Sequence, residues 1–508
     1  MSFSLDNICY TWITIPILLI TTFVIYFKWK YTYWEKHNVP FIQPQIPFGN
    51  LENSFKRKTP PCIEAKNFYH EFKSKGAKHG GIYSFGTPVY IPIDLDYIKN
   101  ILSTDFQYFT ERGRYYNEKD DPLSAHLFNI GGKRWRSLRT KLTPTFTSGK
   151  MKTMFLTLLE CGKILQNAVE ESYAKTKPVE IRNFAWKFTT DVIGSCVFGI
   201  ECNSFANQYA DFPKYGKMLL KGSPWEAARM AFIFSFPNLA KSLGIRRFDK
   251  RATDFFTNIV KDTVEYRESN NVRRNDFMQI LIDLKNTPTV DVEGDGEALT
   301  MEQLTAQCAI FFIGGFDTSA AAISFSMYEM ARNHEIQQKV RDEINEIMVR
   351  YDGKLTYDGL TELKYMQQVI DETLRKYPSL TILNRQCVET YKIPNSDVTI
   401  EKGTQILIPL MGLHSDPDYY PDPDRFDPER FSPENKKARN SFSYLPFGNG
   451  PRNCIAMRFG IMQVKTGLCM LLKNYKYSIN PNTKEPLELD MGVMCCAKDG
   501  IWLDVAKI

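Results

Sequence analysis

The chain has 508 residues, 43% of them hydrophobic and 13% aromatic, which fills a globular body and excludes a disordered chain. A net charge of +6, from 64 Lys and Arg against 58 Asp and Glu, carries no mark of a nucleic-acid binder. Its 11 cysteines, odd in number and without a C-x-x-C pair, fit free thiols in a reducing compartment rather than a disulfide or zinc framework.

Residues 8–27 contain no charged side chain and are long enough, at about 20 residues, to cross a bilayer as a helix. Pro16 is tolerable there. Asp6, the missing basic n-region and the missing small-x-small site argue against a cleaved signal peptide. Lys28, Lys30 and Lys36 follow, with Trp29, Tyr31, Tyr33 and Trp34 as interface anchors, so the positive-inside rule leaves the body in the cytosol. Residues 1–30 are therefore expected to be a membrane anchor and 31–50, with Pro40, Pro44, Pro47 and Gly49, a stiff hinge. No Gly/Ser-rich linker or repeat divides the remainder, 51–508, which reads as one domain.

From Gly81 to Ile93, two β-rich runs around Gly86-Thr87-Pro88 predict a hairpin. Lys133 to Arg139 predicts a basic helix with Trp135 and Arg139 on one face. Residues 150–285 read as successive helices. Within them Met230, Phe232, Ile233, Phe234, Phe236 and Leu239 form an apolar run bracketed by Arg229 and Lys241, read as a second contact with lipid. Asp291 to Glu297 reads as an acidic surface loop. Thr300 and Gln303 fit a capping box, and Leu299 with Leu304 a hydrophobic staple, for a buried helix reaching about Asn333. In its middle lies Gly314-Gly315-Phe316-Asp317-Thr318. Each glycine there costs roughly 1 kcal/mol relative to alanine, and a buried Asp needs partners. Close helix packing would explain the glycines alone, and a hydroxyl bonded back to a carbonyl would explain Thr318.

Glu362 to Tyr377 predicts a helix stopped by Pro378, with Glu372 and Arg375 on one face. Residues 393–409 suggest short strands, and 415–435 is proline-rich and irregular. Gly448, Gly450 and Pro451 force a tight loop at 446–454, ending in Cys454 before a helix-compatible run, Ile455 to Leu472. A thiol at a helix N-terminus is biased toward thiolate.

The pattern Phe447-x-x-Gly450-x-x-x-Cys454, followed by Arg458 and Phe459, resembles the haem-thiolate loop of the cytochrome P-450 monooxygenases, with Ala456 where that family usually has glycine. Further motifs agree in order from residue 135 to 459. Gly314-Gly315-x-Asp317-Thr318 matches the oxygen-binding pattern. Trp135 with Arg139, and less specifically Arg112, match haem-propionate donors, as does Arg385. Glu372 and Arg375 match the Glu-x-x-Arg pair that a third partner joins from Pro428-Glu429-Arg430-Phe431. In detail the chain looks like the animal microsomal branch that includes insect detoxifying and vertebrate drug-metabolising forms.

The resemblance implies a mainly α (α+β) fold, a helical body with a small β-rich portion, plus the N-terminal transmembrane helix. It implies haem b ligated by Cys454, with Arg112, Trp135, Arg139, Gly314, Gly315, Arg385, Phe447 and Arg452 around the cofactor. Asp317 and Thr318 become proton donors to bound oxygen, and Glu372, Arg375 and Arg430 a structural network. The implied reaction inserts one atom of O2 into an apolar substrate, in xenobiotic or in lipid and hormone metabolism. Electrons come from NADPH through a flavoprotein reductase, with cytochrome b5 as a second donor, at the cytosolic face of the endoplasmic reticulum membrane. Lys133, Arg134, Arg136, Lys141, Lys436, Lys437 and Arg439 border the face where the reductase docks. Two alternatives stand beside this: a haem-thiolate isomerase or dehydratase that does not use O2, and a membrane-tethered haem protein without catalysis.

Overall fold

The computed structural model describes residues 5–206, 211–220, 229–230, 232–233, 236–286, 298–492 and 494–508. The helix Leu5–Lys30 runs past Pro16 and leaves Trp12, Ile15, Leu18, Leu19, Ile20, Phe23 and Ile25 exposed. At its end, Phe27 and Lys30 lie against the hairpin turn: a Cβ on Gly86 would stand 3.7 Å from each side chain.

The segment expected to be a stiff hinge is paired with the body instead. Gly81 N–H donates to the Pro40 carbonyl at 2.8 Å, and Ile42 N–H to that of Gly81 at 3.2 Å. The Asn50 side chain bridges Tyr83 N–H and the Ile42 carbonyl. Trp34, read as an interface anchor, is buried, with its indole N–H on the Ile82 carbonyl at 2.9 Å. The reason is local: Gly81 has no Cβ, and a Cβ there would sit 2.5 Å from the indole.

The hairpin pairs His79–Ser84 with Thr87–Pro92. Its turn is Phe85-Gly86, one residue earlier than expected, because Phe85 takes the left-handed conformation (φ 52°). These strands continue into Gln405–Pro409 and then Ile382–Gln386, a strand that periodicity missed. Arg385 faces Ile406 across the last pair. A three-stranded sheet joins Val179–Glu180, Trp502–Lys507 and Tyr475–Ile479 in that order. A two-stranded ribbon pairs Tyr391–Lys392 with Thr399–Ile400. The other regular elements are helices, so the mainly α architecture with small sheets holds.

The helix Met301–Arg332 runs through the larger hydrophobic core. Its capping box is formed, Gln303 N–H donating to Thr300 Oγ1 at 3.2 Å and Thr300 N–H to Gln303 Oε1 at 3.1 Å. It is long and apolar enough to cross a membrane, but 67% of its most apolar window is buried, so that apolarity serves the core. The predicted 362–377 helix is Lys364–Lys376, preceded by a separate short helix, Tyr357–Glu362. The acidic loop at 291–297 lies outside the described residues. Of the apolar run, Phe234 lies outside them too; Ile233 is 2% exposed whereas Phe236 and Leu239 are half exposed, so the run is divided between core and surface.

Candidate active site

Cys454 ends a loop whose shape is set by two glycines with positive φ, Gly448 and Gly450. A Cβ on Gly450 would lie 1.8 Å from the Leu102 carbonyl oxygen, so no other residue fits that crossing. Cys454 N–H donates to the Phe447 carbonyl at 2.9 Å and closes the loop. The loop base is held by His414: Leu445 N–H donates to its Nε2 at 3.0 Å. Burial first, and the Arg375 charge, push this imidazole down to about 3, so it stays neutral and can accept.

The Cys454 thiol is enclosed by protein yet accessible, because it faces an interior cavity of about 850 Å³. Its helix begins only at Met457, and the thiolate bias expected from the helix N-terminus is outweighed. Burial pushes the thiol up; the Ala456 backbone N–H, Arg139 and Arg112 oppose it. A metal on the sulfur would reverse the balance, since a coordinating thiol is deprotonated outright.

Four arginines converge on the same cavity. Arg139 donates to the Asn453 carbonyl and Oδ1, both at 2.8 Å. Arg112 donates to the Arg452 and Phe128 carbonyls at 2.9 and 3.2 Å. Arg452 reaches the carbonyls of Thr110 and Ile130 at 2.6 and 2.8 Å, and its guanidinium lies 4.1 Å over the Trp135 ring. Arg385 donates to the Asn384 carbonyl at 2.9 Å. These acceptors are neutral. Arg385 Nε and Arg452 Nη1 are buried without a partner. Burial and the neighbouring guanidiniums push Arg112 well down and Arg452 to about 9; burial alone pushes Arg385 to about 10. Cations gathered this way, each disfavouring the others, call for an anionic group in the cavity.

The opposite wall is the 301–332 helix, where the two glycines separate in purpose. A Cβ on Gly315 would lie 2.5 Å from Ile193 Cδ1, so that glycine permits helix contact. A Cβ on Gly314 would meet nothing within 4 Å, and this backbone opens onto the cavity. The Thr318 hydroxyl donates back to the Gly314 carbonyl. The buried Asp317 carboxylate has Arg182 Nη2 at 3.6 Å and the Cys496 thiol at 3.8 Å. Neither Arg182 nor Cys496 carries a local sequence signal, since each meets Asp317 only through the fold.

Glu372, Arg375 and Arg430 lie apart from the cavity wall. Arg375 makes a forked pair with Glu372 at 2.7 and 2.9 Å and donates to the His414 and Pro423 carbonyls. Arg430 is looser, at 3.5 Å from Glu372. Several of the basic residues expected to face a partner are already engaged. Lys436 bonds Asp371, Arg439 lies 4.3 Å over the Phe431 ring, and Arg134 pairs with Glu118.

The geometry fits a haem whose acidic substituents meet the arginines and whose iron meets the thiol. Comparison with known proteins agrees. The cytochrome P450 family model matches residues 52–503. Cytochrome P450 6a8 of Drosophila melanogaster is 41% identical over 498 residues, 97% of this chain and 98% of that protein. Cytochrome P450 6A1 of Musca domestica is 40% identical over 496 residues, 96% and 97% of the two chains. With the cavity and its thiol already in view, the match over nearly the whole length means that this chain belongs to the cytochrome P450 family of haem-thiolate monooxygenases.

Proposed function

We propose that the chain is a membrane-bound monooxygenase of lipophilic compounds, with Cys454 as the iron ligand and an NADPH-dependent flavoprotein reductase as electron donor. The observation that carries this reading is the single cavity bringing together an accessible thiol, four arginines, two of them with a buried donor lacking a partner, and a helix wall bare of side chain at Gly314. When bound, haem supplies reductive activation of O2 and transfer of one oxygen atom to a C–H bond or double bond. Arg112, Arg139, Arg385 and Arg452, with the Trp135 indole, would hold its propionates. Phe447 and the 446–454 loop shield the sulfur. The apolar walls would exclude water around the substrate, and the Asp317 carboxylate and Thr318 Oγ1 would hold and pass protons at the Gly314 side of the cavity. The test is a reconstitution with reductase, NADPH and a panel of lipophilic compounds. Oxygenated products that require all three reactants support the reading; rearrangement of organic peroxides without reductase or O2 would point to an isomerase instead.

Thr318→Ala separates proton delivery from cofactor binding. The variant should keep its haem but divert NADPH equivalents into hydrogen peroxide, lowering product formed per NADPH severalfold, by about 2–10-fold, if the hydroxyl carries part of a general-acid contribution. An unchanged ratio of product to NADPH would mean that the hydroxyl only caps the Gly314 carbonyl.

We also propose that the body touches lipid beside the anchor, through Phe236, Leu239 and Leu243, which are exposed together while Ile233 packs inward. Three such side chains in a bilayer are each worth roughly 1.5–3 kcal/mol. A chain lacking residues 1–30 should therefore still sediment with liposomes, and changing the three to serine should release it at full haem content. If the shortened chain does not bind liposomes, the surface has another role.

A further inference from the structure

A buried carboxylate needs donors, and elsewhere in this chain it has them. Asp276 takes both arms of the Arg267 guanidinium at 2.8 and 2.6 Å and the Gln279 N–H at 3.0 Å. Asp416 takes the Tyr69 hydroxyl at 2.7 Å, Lys73 Nζ at 3.0 Å and the Asp418 N–H at 3.0 Å. Asp317, only 5% exposed, has no such set. Arg182 Nη2 stands 3.6 Å from its Oδ1, too far for a hydrogen bond, and that oxygen is buried without a partner. Among the described residues, the one hydrogen bond to this carboxylate comes from the Cys496 thiol, 3.8 Å from Oδ2.

The thiol is firmly mounted. Leu489 bridges Ala497 antiparallel, Asp490 N–H donates to the Cys496 carbonyl at 2.8 Å, and Lys498 N–H to that of Glu488 at 2.9 Å. On the other side, Met494 bridges Leu380, and Cys495 N–H donates to the Ser379 carbonyl at 3.4 Å. The Ser379 hydroxyl in turn donates to the Thr318 carbonyl at 3.2 Å, which ties the segment to the 301–332 helix. Arg182 Nη1 donates to the Ala497 carbonyl at 3.2 Å, so both neighbours of Asp317 are fixed through residues 496 and 497.

A group that passes protons is held best by a donor that fixes its plane without strongly favouring its ionised form. An N–H or O–H donor favours the carboxylate charge more, whereas a thiol is a weak donor. Burial first, then the Asp317 charge, push the Cys496 thiol up to about 12, so it keeps the proton it donates. Resting on the reading that Asp317 passes protons at the Gly314 side of the cavity, we propose that Cys496 is a positioning residue for this reaction, its thiol setting the orientation of the Asp317 carboxylate.

The experiment uses the full haem-loaded chain with reductase, NADPH and p-nitroanisole, a lipophilic ether. An ordinary hydrogen bond is worth about 2–10-fold, so Cys496→Ala should lower product per NADPH by about that factor, the lost equivalents appearing as hydrogen peroxide. Cys496→Ser, which keeps a donor, should restore part of it. In an Asp317→Asn background Cys496→Ala should add no further loss, because the group it positions is gone. A second readout needs no turnover. The infrared S–H stretch of Cys496, identified by its absence from Cys496→Ser, should move to higher frequency in Asp317→Asn as the bond to the carboxylate weakens. Unchanged product per NADPH in Cys496→Ala, a defect confined to substrate KM, or a full added loss in the Asp317→Asn background overturns the proposal. So does an S–H band that does not respond to Asp317→Asn. A normal product-to-NADPH ratio in Asp317→Asn itself would instead defeat the proton-passing reading, and the infrared shift would still decide whether the thiol holds the carboxylate.

Discussion

Cys454→Ala should yield a folded chain that no longer gives the strongly red-shifted Soret band of a reduced, carbon monoxide-bound haem-thiolate, with monooxygenase turnover lost by several orders of magnitude. Of the loop residues that line the cavity, Pro446, Phe447, Gly448, Arg452, Asn453 and Cys454, the cysteine is the one that carries a sulfur beside the arginine set. The other imidazole and thiol groups of the lining, among the described residues, are those of His126, Cys196 and Cys496. None comes from the 446–454 loop, and burial pushes both of those cysteines up and His126 well down. Cys454→His should bind haem with a histidine-type spectrum, because the loop and its hydrogen bond from residue 454 N–H to Phe447 remain. A Cys454→Ala protein that keeps the red-shifted band would move the ligand to Cys196 or Cys496 and end the assignment.

The second large effect lies behind the loop. Arg375 and Glu372 are fully buried, and breaking one member of such a pair leaves an unpaired charge at a cost of about 3–5 kcal/mol. Arg375 also donates to the His414 carbonyl, and His414 Nε2 accepts the amide of Leu445, at the foot of the cysteine loop. Arg375→Ala should therefore both destabilise the fold and loosen the loop: little soluble protein, and what survives low in haem. Measured by thermal unfolding and haem content, normal values for both would show that the pair is dispensable. Arg430→Ala should be milder, since it stands 3.5 Å from Glu372 and also bonds the Asp422 carbonyl. The same His414 gives an acid limit. Its folded-state value lies below its ordinary 6.5, so the unfolded chain binds more protons below that pH. Stability should fall by up to about 1.4 kcal/mol per pH unit on acidification through that range.

What could be read from the chain beforehand was whatever chemistry is local. The glycines of the 446–454 loop, the caps of the 301–332 helix and the Trp135/Arg139 spacing each declare themselves within a few residues. Gly314 and Gly315 show the limit of that method. The same residue type, adjacent in the chain, opens the cavity at one position and admits Ile193 at the next, and only packing tells them apart. Trp34 misled for a related reason: a tryptophan after an apolar helix suits a bilayer surface, and its burial depends on Gly81, far along the chain. Arg182 and Cys496 sit in no motif at all, since they meet Asp317 from distant segments, so the Asp317 neighbours were invisible.

The converging guanidiniums of Arg112, Arg385 and Arg452 bear on how the enzyme is made as well as on how it holds its cofactor. Their mutual repulsion, and the partnerless donors of Arg385 and Arg452, would be relieved by an anionic cofactor, so cofactor uptake and folding would share one equilibrium. A cell translating this message faster than it supplies haem accumulates the less stable form, which is exposed to proteolysis for as long as it waits. Feeding a haem precursor during expression should therefore raise the total amount of protein, beyond any change in the fraction that is coloured.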